Sequence, residues 1–410
     1  ERVVTPRPAP AAKPAGPVQR GVATLGVLVT AALLVVTWTT QGWAQATLLA
    51  LGAGLGVALF HSRFGFTSAW RQLVAVGQGK ALRAHTLLLA ATAILFAPFL
   101  AAGVSPTGTA VEGNVSPVSV SLVFGALIFG IGMQIGGACA SGTLYTVGSG
   151  HTAIFLTLGA FIVGSTIGAF HFSWWEALPG TEPVNLGAVF GSTFVGLVVT
   201  LLALGLIAAM TVVIGRRKNP PPVAPPATAR GIARAFRGAW PLWVGALALA
   251  VLNMLVLWVK GSPWGVTSAF ALWGSKIAAA LGIADPASWD YFAGSRGASL
   301  QESVLADATS LTDIGIILGA LIASALAGAF KLHRRVPAKL AAGAIVGGLL
   351  MGYGARLAYG CNIGAYLGGI SSLSLHGWVW GVVALAGTWL GLRLRPVFGL
   401  SRPRPDDGVC

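Results

Sequence analysis

The sequence predicts an all-α polytopic membrane protein of two inverted repeats, in which broken, re-entrant helices meet at a central constriction. Three observations predict this. First, 55% of the 410 residues are hydrophobic and only 9% are charged, with a mean hydropathy of +0.79. Apolar runs of about 18 residues or more recur along the chain, which is the signature of membrane helices. Second, the few charges are segregated. Eight of the eleven acidic residues fall at Glu112, at Glu176 and Glu182, and between Asp285 and Asp313, whereas basic residues gather at 2–20, 63–83, 216–237, 331–339 and 393–404. The positive-inside rule makes the basic segments and both termini cytoplasmic, and the acidic segments external. Third, the chain repeats itself, and internal repeats take precedence over any local reading.

Taken in order, residues 1–20 are rich in proline and alanine and read as a disordered cytoplasmic arm. Residues 21–44 hold an extra N-terminal span. Val22 to Thr37, followed by Ala44 to Ala46, has the outline of a signal peptide. With so many spans after it, the segment reads as a first membrane helix. The first half, 45–215, has spans at about 45–60, 85–103, 118–138, 152–172 and 186–214. The segment 216–237 holds six basic residues around a run of prolines and reads as the cytoplasmic linker. The second half, 238–395, has spans at about 239–259, 313–330, 339–358 and 377–393, with an external insertion over 284–313 and a cytoplasmic tail from 396. No predicted membrane core contains an acidic residue, which weighs against a proton-relay or cation role.

Two motifs mark the repeat. Gly65, Thr67, Ser68 and Ala69 match Gly265, Thr267, Ser268 and Ala269, and the stretch Phe129–Gly142 matches Met351–Gly364 cysteine on cysteine. In the second pair Gly130, Gly132 and Gly142 align with Gly352, Gly354 and Gly364 around Cys139 and Cys361. The loop after the first Gly-x-Thr-Ser-Ala element carries Lys80 and Arg83, and that after the second carries Asp285 and Asp290, so the halves are inverted. Inverted repeats with broken helices meeting near the midplane are a transporter signature. Irregular backbone at membrane depth is tolerated only where it is buried in protein or lines a polar cavity. Both breaks are therefore expected to face one shared cavity.

The candidate site residues follow from these breaks. Cys139 and Cys361 supply soft thiols, which are small hydrophobes in the bland reading and weak donors in the functional one. Gly137, Gly142, Gly360, Asn362 and Gly364 open the half-helix turns, whose positive N-termini suit anions. Thr67 and Thr267 put hydroxyls at the other pair of breaks. Gln134 and Arg356 share one repeat position, five residues before their cysteines, and either draw anions inward or pair with carbonyls at a broken-helix end. Lys276 and Arg71 read as interface residues, His151 and His376 as helix-start residues, and most of the fourteen tryptophans, Trp174, Trp175, Trp378 and Trp380 among them, as membrane-belt anchors. Three cysteines make no disulfide framework and no metal spacing, and no cofactor is indicated. The net charge of +15 reports membrane topology rather than nucleic acid.

The stretches Gly136–Tyr145 and Tyr359–Tyr366, with the tail Ser371–Trp378, resemble the YeeE/YedE family of membrane proteins over roughly residues 45–395. The resemblance implies an hourglass-like fold and an inner-membrane permease, in which thiols at a narrow centre hand along a sulfur anion, above all thiosulfate. Members of the family often carry a further functional cysteine near the first break, where this chain has Thr67. The rival expectations are transport of sulfite, hydrosulfide or a selenium compound, and a membrane-embedded sulfur-transfer enzyme carrying a persulfide on Cys139 or Cys361. The expected partners are the anion, the lipid bilayer and a cytoplasmic TusA-like sulfur carrier docking on 216–237.

Overall fold

The computed structural model describes residues 14–220, 228–332 and 335–402. The arm over 1–13, the proline run at 221–226 and the tail from 403 to Cys410 lie outside the described residues. Among the described residues the architecture is helical with only isolated β-bridges, and ten helical segments are long and apolar enough to cross a membrane. The protein is an all-α polytopic membrane protein.

The first half contains α1 (Arg20–Gln41), α2 (Trp43–Ser62), α3 (Phe66–Val76), α4 (Lys80–Ala102), α5 (Val120–Ile135), α6 (Ala140–Gly148), α7 (Thr152–Phe170), the short α8 (Phe172–Glu176) and α9 (Leu186–Val189), and α10 (Thr193–Lys218). After α11 (Arg234–Arg237) come α12 (Leu242–Lys260), α13 (Thr267–Ala280), α14 (Ser295–Gln301), α15 (Ala308–Leu326) and α16 (Ala338–Leu357). A π-helical turn (Asn362–Gly368) runs into α17 (Gly369–Ser371), and α18 (Leu375–Leu394) ends the fold.

The helices pair in a reciprocal pattern. α7 packs on α16 as α5 does on α18, α2 on α15 as α4 does on α12, and α13 on α7 as α3 does on α18. The corresponding helices α2 and α12 lie side by side and antiparallel: Gly54 meets Leu252, and eight residues further along α2 Ser62 meets Gly245. α5 and α16 are antiparallel too, with Gly125 against Leu357 and Gly132 against Leu350. The abundance of glycine follows from this packing. Lipid tails give helices no hydrophobic reason to associate, so close backbone approach through small residues has to supply the contact. A Cβ on Gly347 would be forced into the Gly136 backbone, and one on Gly56 into the Ile316 carbonyl.

Two helix starts, one terminal segment and one tryptophan differ from the sequence expectation. The span drawn from 186 begins at Thr193, because Asn185 caps a separate short turn and the strand-like Val184–Leu186 pairs with Leu373 and Leu375. The span drawn from 313 begins at Ala308, capped by Asp307, so Asp313 is not external but lies in the second turn of a membrane helix and is fully buried. The expectation of an acid-free membrane core is thereby corrected; a carboxylate at the head of an apolar run, beside the acidic insertion, reads as a loop acid. Residues 14–19, placed in the arm, are held to the body: Gln19 exchanges side-chain hydrogen bonds with the Phe330 backbone, and Arg237 Nη2 donates to Gly16 O. Trp380 is core rather than belt, at 0% exposure and stacked on Tyr366.

Candidate functional site: two cysteine breaks between two cavities

Each cysteine caps a half-helix. α5 stops at Ile135 because Gly136 and Gly137 turn the chain, Gly137 with φ at 89°, and Cys139 then occupies the N-cap of α6. In the second half Tyr359 (φ 56°) and Gly360 (φ 144°) make the same turn, and Cys361 caps the π-helical stretch. The left-handed residue thus sits two positions before the thiol in both halves. Glycine adopts that conformation without penalty, whereas Tyr359 carries a side chain through it. Both thiols are 1% exposed. Cys139 Sγ lies 3.7 Å from Ser141 Oγ, and Cys361 Sγ accepts from the Ile363 N–H at 3.4 Å. The first N–H groups of each half-helix have no helical partner and carry the positive end of its dipole.

The two breaks converge. α6 touches the π-helical turn, and both cysteines belong to one buried cluster with Phe66, Trp70, Phe129, Met351 and Trp380. Rings from the two halves interlock there, Trp70 edge-on to Tyr366 at 5.4 Å and to Trp380 at 6.1 Å.

They do not share one cavity, however, which corrects the sequence expectation. A cavity of about 500 Å³ is lined by Gly65, Thr67, Arg71, Gly137, Cys139 and Gly142, and a second of about 340 Å³ by Gly265, Thr267, Arg356, Tyr359, Gly360 and Gly364. Gly65, Thr67, Gly137 and Gly142 of the first set match Gly265, Thr267, Tyr359 and Gly364 of the second. Cys139 lines the larger cavity, whereas Cys361 lines neither, although its neighbours Gly360 and Gly364 line the smaller. Cavity volume and ring packing belong to the assembled fold, so a motif comparison had no access to them.

The polar groups divide along the same line. Arg356, 7% exposed, donates from Nη2 to Thr267 Oγ1 at 2.8 Å and from Nη1 to the Tyr291 hydroxyl, and its Nε has no partner. Among the described residues no carboxylate pairs with it. Its repeat counterpart Gln134 instead donates from Nε2 to the Thr67 carbonyl at 3.3 Å, leaving Oε1 without a partner, and it does not line the larger cavity. Of the two readings left open, Arg356 therefore faces a cavity and Gln134 braces a broken helix. Thr67 is 2% exposed with a partnerless hydroxyl on the larger cavity. Asn362, 1% exposed, has neither side-chain atom bonded and lines neither cavity.

Sequence reading missed Tyr291 and Arg296, which the insertion over 284–313 sends into the smaller cavity, with Arg296 5.0 Å from the Tyr291 ring centre. Burial raises the pKa of Glu176 nearby, against the lowering pull of the Arg296 guanidinium. Lys276, expected at an interface, does hold the insertion, donating to the Leu300 and Glu302 carbonyls at 2.7 Å each. Arg71 instead lines the larger cavity, with His151. His376 is fully buried and bonds Ser374 and the Ser116 N–H. Among the described residues neither Cys139 nor Cys361 hydrogen-bonds a histidine.

Comparison with known proteins agrees with this architecture. Residues 61–390 match the family described as Sulphur transport. The chain is 31% identical over 366 residues to the thiosulfate transporter TsuA of Spirochaeta thermophila, covering 83% of this chain and 96% of that protein. It is 26% identical over 353 residues to the thiosulfate transporter TsuA of Escherichia coli, covering 83% of this chain and 92% of the relative. A 170-residue part is 31% identical to the probable transporter YedE of Escherichia coli, covering 40% of this chain and 41% of that one. A family match over most of the chain, with the paired cysteine breaks inside it, leads to one conclusion: the chain belongs to the Sulphur transport family of membrane proteins, the YeeE/YedE group.

Proposed function

We propose that this protein is an inner-membrane permease that takes up thiosulfate through a central path closed, in this conformation, at the two cysteine breaks. The observation that carries the reading is the pair of buried, histidine-free thiols at converging helix starts between two repeat-equivalent cavities. Thiosulfate has hard oxygens at one end and a soft terminal sulfur at the other. Arg356, with a free Nε and no carboxylate, offers a charge-assisted contact to the oxygens. A thiol offers weak S–H donation and close, polarizable contact to the sulfur. The anion enters from the smaller cavity, whose rim carries Glu112 and the insertion, and leaves through the larger one, whose rim carries Arg63, Arg71 and His151. Basic residues beside the larger cavity make it the cytoplasmic side, with both termini inside.

The halves act as inverted repeats on this reading, supported by the antiparallel α2–α12 and α5–α16 pairs. Half-helix dipoles from opposite sides then point at one centre. The substrate contacts are Cys139, Cys361, Thr67, Thr267 and Arg356, with Gly137, Gly142, Gly360 and Gly364 giving the backbone room, Asn362 facing the centre and Gln134 as a brace. A TusA-like carrier collects the product at the cytoplasmic mouth, where Arg237 sits beside Phe60 and Arg63.

The test is growth and uptake in cells lacking other sulfur-anion transporters, with thiosulfate, sulfate and sulfite as separate sole sources. Growth on thiosulfate that depends on this protein supports the reading; growth restored only by sulfite or sulfate overturns it. Cys139→Ser and Cys361→Ser then ask whether sulfur softness matters, since serine keeps a donor but loses polarizability. An unchanged thiosulfate-to-sulfite ratio in both would show that it does not.

A further inference from the structure

Asp313 is an acid for which the transport path just described has no use. It lies in the second turn of α15, inside a span apolar enough to cross the bilayer. It is 0% exposed, and neither carboxyl oxygen has a hydrogen-bond partner. At this level α15 is pressed against α2, Thr312 on Gly52 and Gly315 on Leu49. Ionisable side chains inside a membrane are costly and mark ion and proton paths. A carboxyl buried without donors either carries a proton or must draw a cation to it.

The charged or titratable groups that act on Asp313 are Lys260 at the end of α12, Asp307 at the head of α15, and the Cys361 thiol at the second break. Lys260 Nζ donates to Thr309 Oγ1 at 3.3 Å, one turn from Asp313, near the external loop that bonds Gly261. Asp307 is already satisfied, accepting from Ser310 N–H at 2.7 Å and Ser310 O–H at 2.6 Å. The other elements packed on α15 bring their charges elsewhere. His61 of α2 and Arg237 of α11 bond Gly238 and Leu326, and Arg20 of α1 follows Gln19 at Ala325, all towards the far end of α15. Arg234 of α11 bonds Ala239, Tyr145 of α6 lines the larger cavity, and Lys276 of α13 bonds the insertion. Asp313 thus has an ammonium held one turn away at Thr309, and the Cys361 thiol among the groups it acts on.

We propose that Asp313 is a proton-binding site that couples anion uptake to inward proton movement, an inference that rests on the permease reading above. A divalent anion entering a cell works against the interior-negative potential, and each accompanying proton removes part of that opposition. The carboxyl holds a proton in one state of the cycle and yields it in the other, when Lys260 takes over as its counter-charge.

The experiment uses the full chain in proteoliposomes, with sulfur-labelled thiosulfate and the membrane potential clamped by potassium and valinomycin. An inside-alkaline step of one pH unit should raise accumulation by about tenfold for each coupled proton. Asp313→Asn should lose that stimulation while still exchanging labelled for unlabelled thiosulfate at equal pH. Accumulation in the wild type that ignores the pH step, accumulation driven instead by a sodium gradient, or stimulation retained in Asp313→Asn would each overturn the proposal. Absence of thiosulfate exchange in the wild type would refute the permease reading itself. Should Asp313→Asn fail to assemble, Asp313→Glu moves the acid by one methylene and must shift the pH profile of stimulated uptake; an unshifted profile overturns the proposal as well.

Discussion

The break around Cys139 and the break around Cys361 start from one motif and are finished differently. Around Cys139 the turn is made by glycine, the cavity is the larger, and the residue five positions earlier is neutral Gln134, spent on a backbone carbonyl. Around Cys361 a tyrosine makes the turn, the cavity is smaller, and the matching residue is Arg356, which bonds Thr267 and Tyr291 and keeps Nε free. The two breaks share a backbone geometry and differ in the side chains around it. Both cavities carry arginines; the smaller is walled by the insertion and holds Arg356 beside its break, while the larger holds a thiol and a hydroxyl without a protein partner.

The sharpest way to break the comparison is at what the halves share. Cys139→Ala and Cys361→Ala should each abolish thiosulfate uptake in cells, with little change in melting temperature, because losing one sulfur from a cavity edge costs little packing while a serial path fails at one missing step. Normal uptake in either folded variant would reduce that cysteine to packing and end the equivalence.

The next test is at what they do not share. Arg356→Met should raise KM for thiosulfate by roughly 30-fold, the loss of about 2 kcal/mol for a charge-assisted contact. Gln134→Met should leave KM near that of the wild type and lower the melting temperature instead, since it removes a brace. Equal effects on KM would mean that both positions touch the anion.

A smaller effect is expected at the turns. Gly137→Ala should destabilise by about 1–2 kcal/mol, the cost of a Cβ in the left-handed region. Tyr359→Gly should relieve that strain but lose the ring and its hydroxyl contact to Ser119, at 3.3 Å, so thermal melting should place it nearer the wild type than Gly137→Ala.

The smallest effects separate the two threonines. Thr267→Val removes the Arg356 bond and should cost about 1 kcal/mol in melting experiments. Thr67→Val removes a hydroxyl with no protein partner, so stability should hold while uptake falls if that hydroxyl meets the anion. Thr67→Cys should be tolerated in uptake; its failure in a folded protein would show that this position reads oxygen rather than sulfur.

The sequence by itself determined the membrane class, the ten spans, the paired motifs and the opposed loop charges, because hydropathy, glycine spacing and charge segregation are local quantities summed along the chain. It also marked the cysteine breaks, since only a break explains glycine crowding around one thiol inside an apolar run. What only the tertiary structure decided was set by side chains distant in sequence. Trp70, Tyr366 and Trp380 interlock beside the two breaks, the breaks line two cavities rather than one, and Tyr291 and Arg296 arrive from an insertion that looked like a loop. Arg356 and Gln134 part company because Thr267 offers its hydroxyl to one and Thr67 its carbonyl to the other. Asp313 was drawn outside the membrane because one carboxylate at a helix start looks like a loop acid. Only packing against α2 shows that it is buried, and burial is a property of neighbours, which a single chain read in order does not contain.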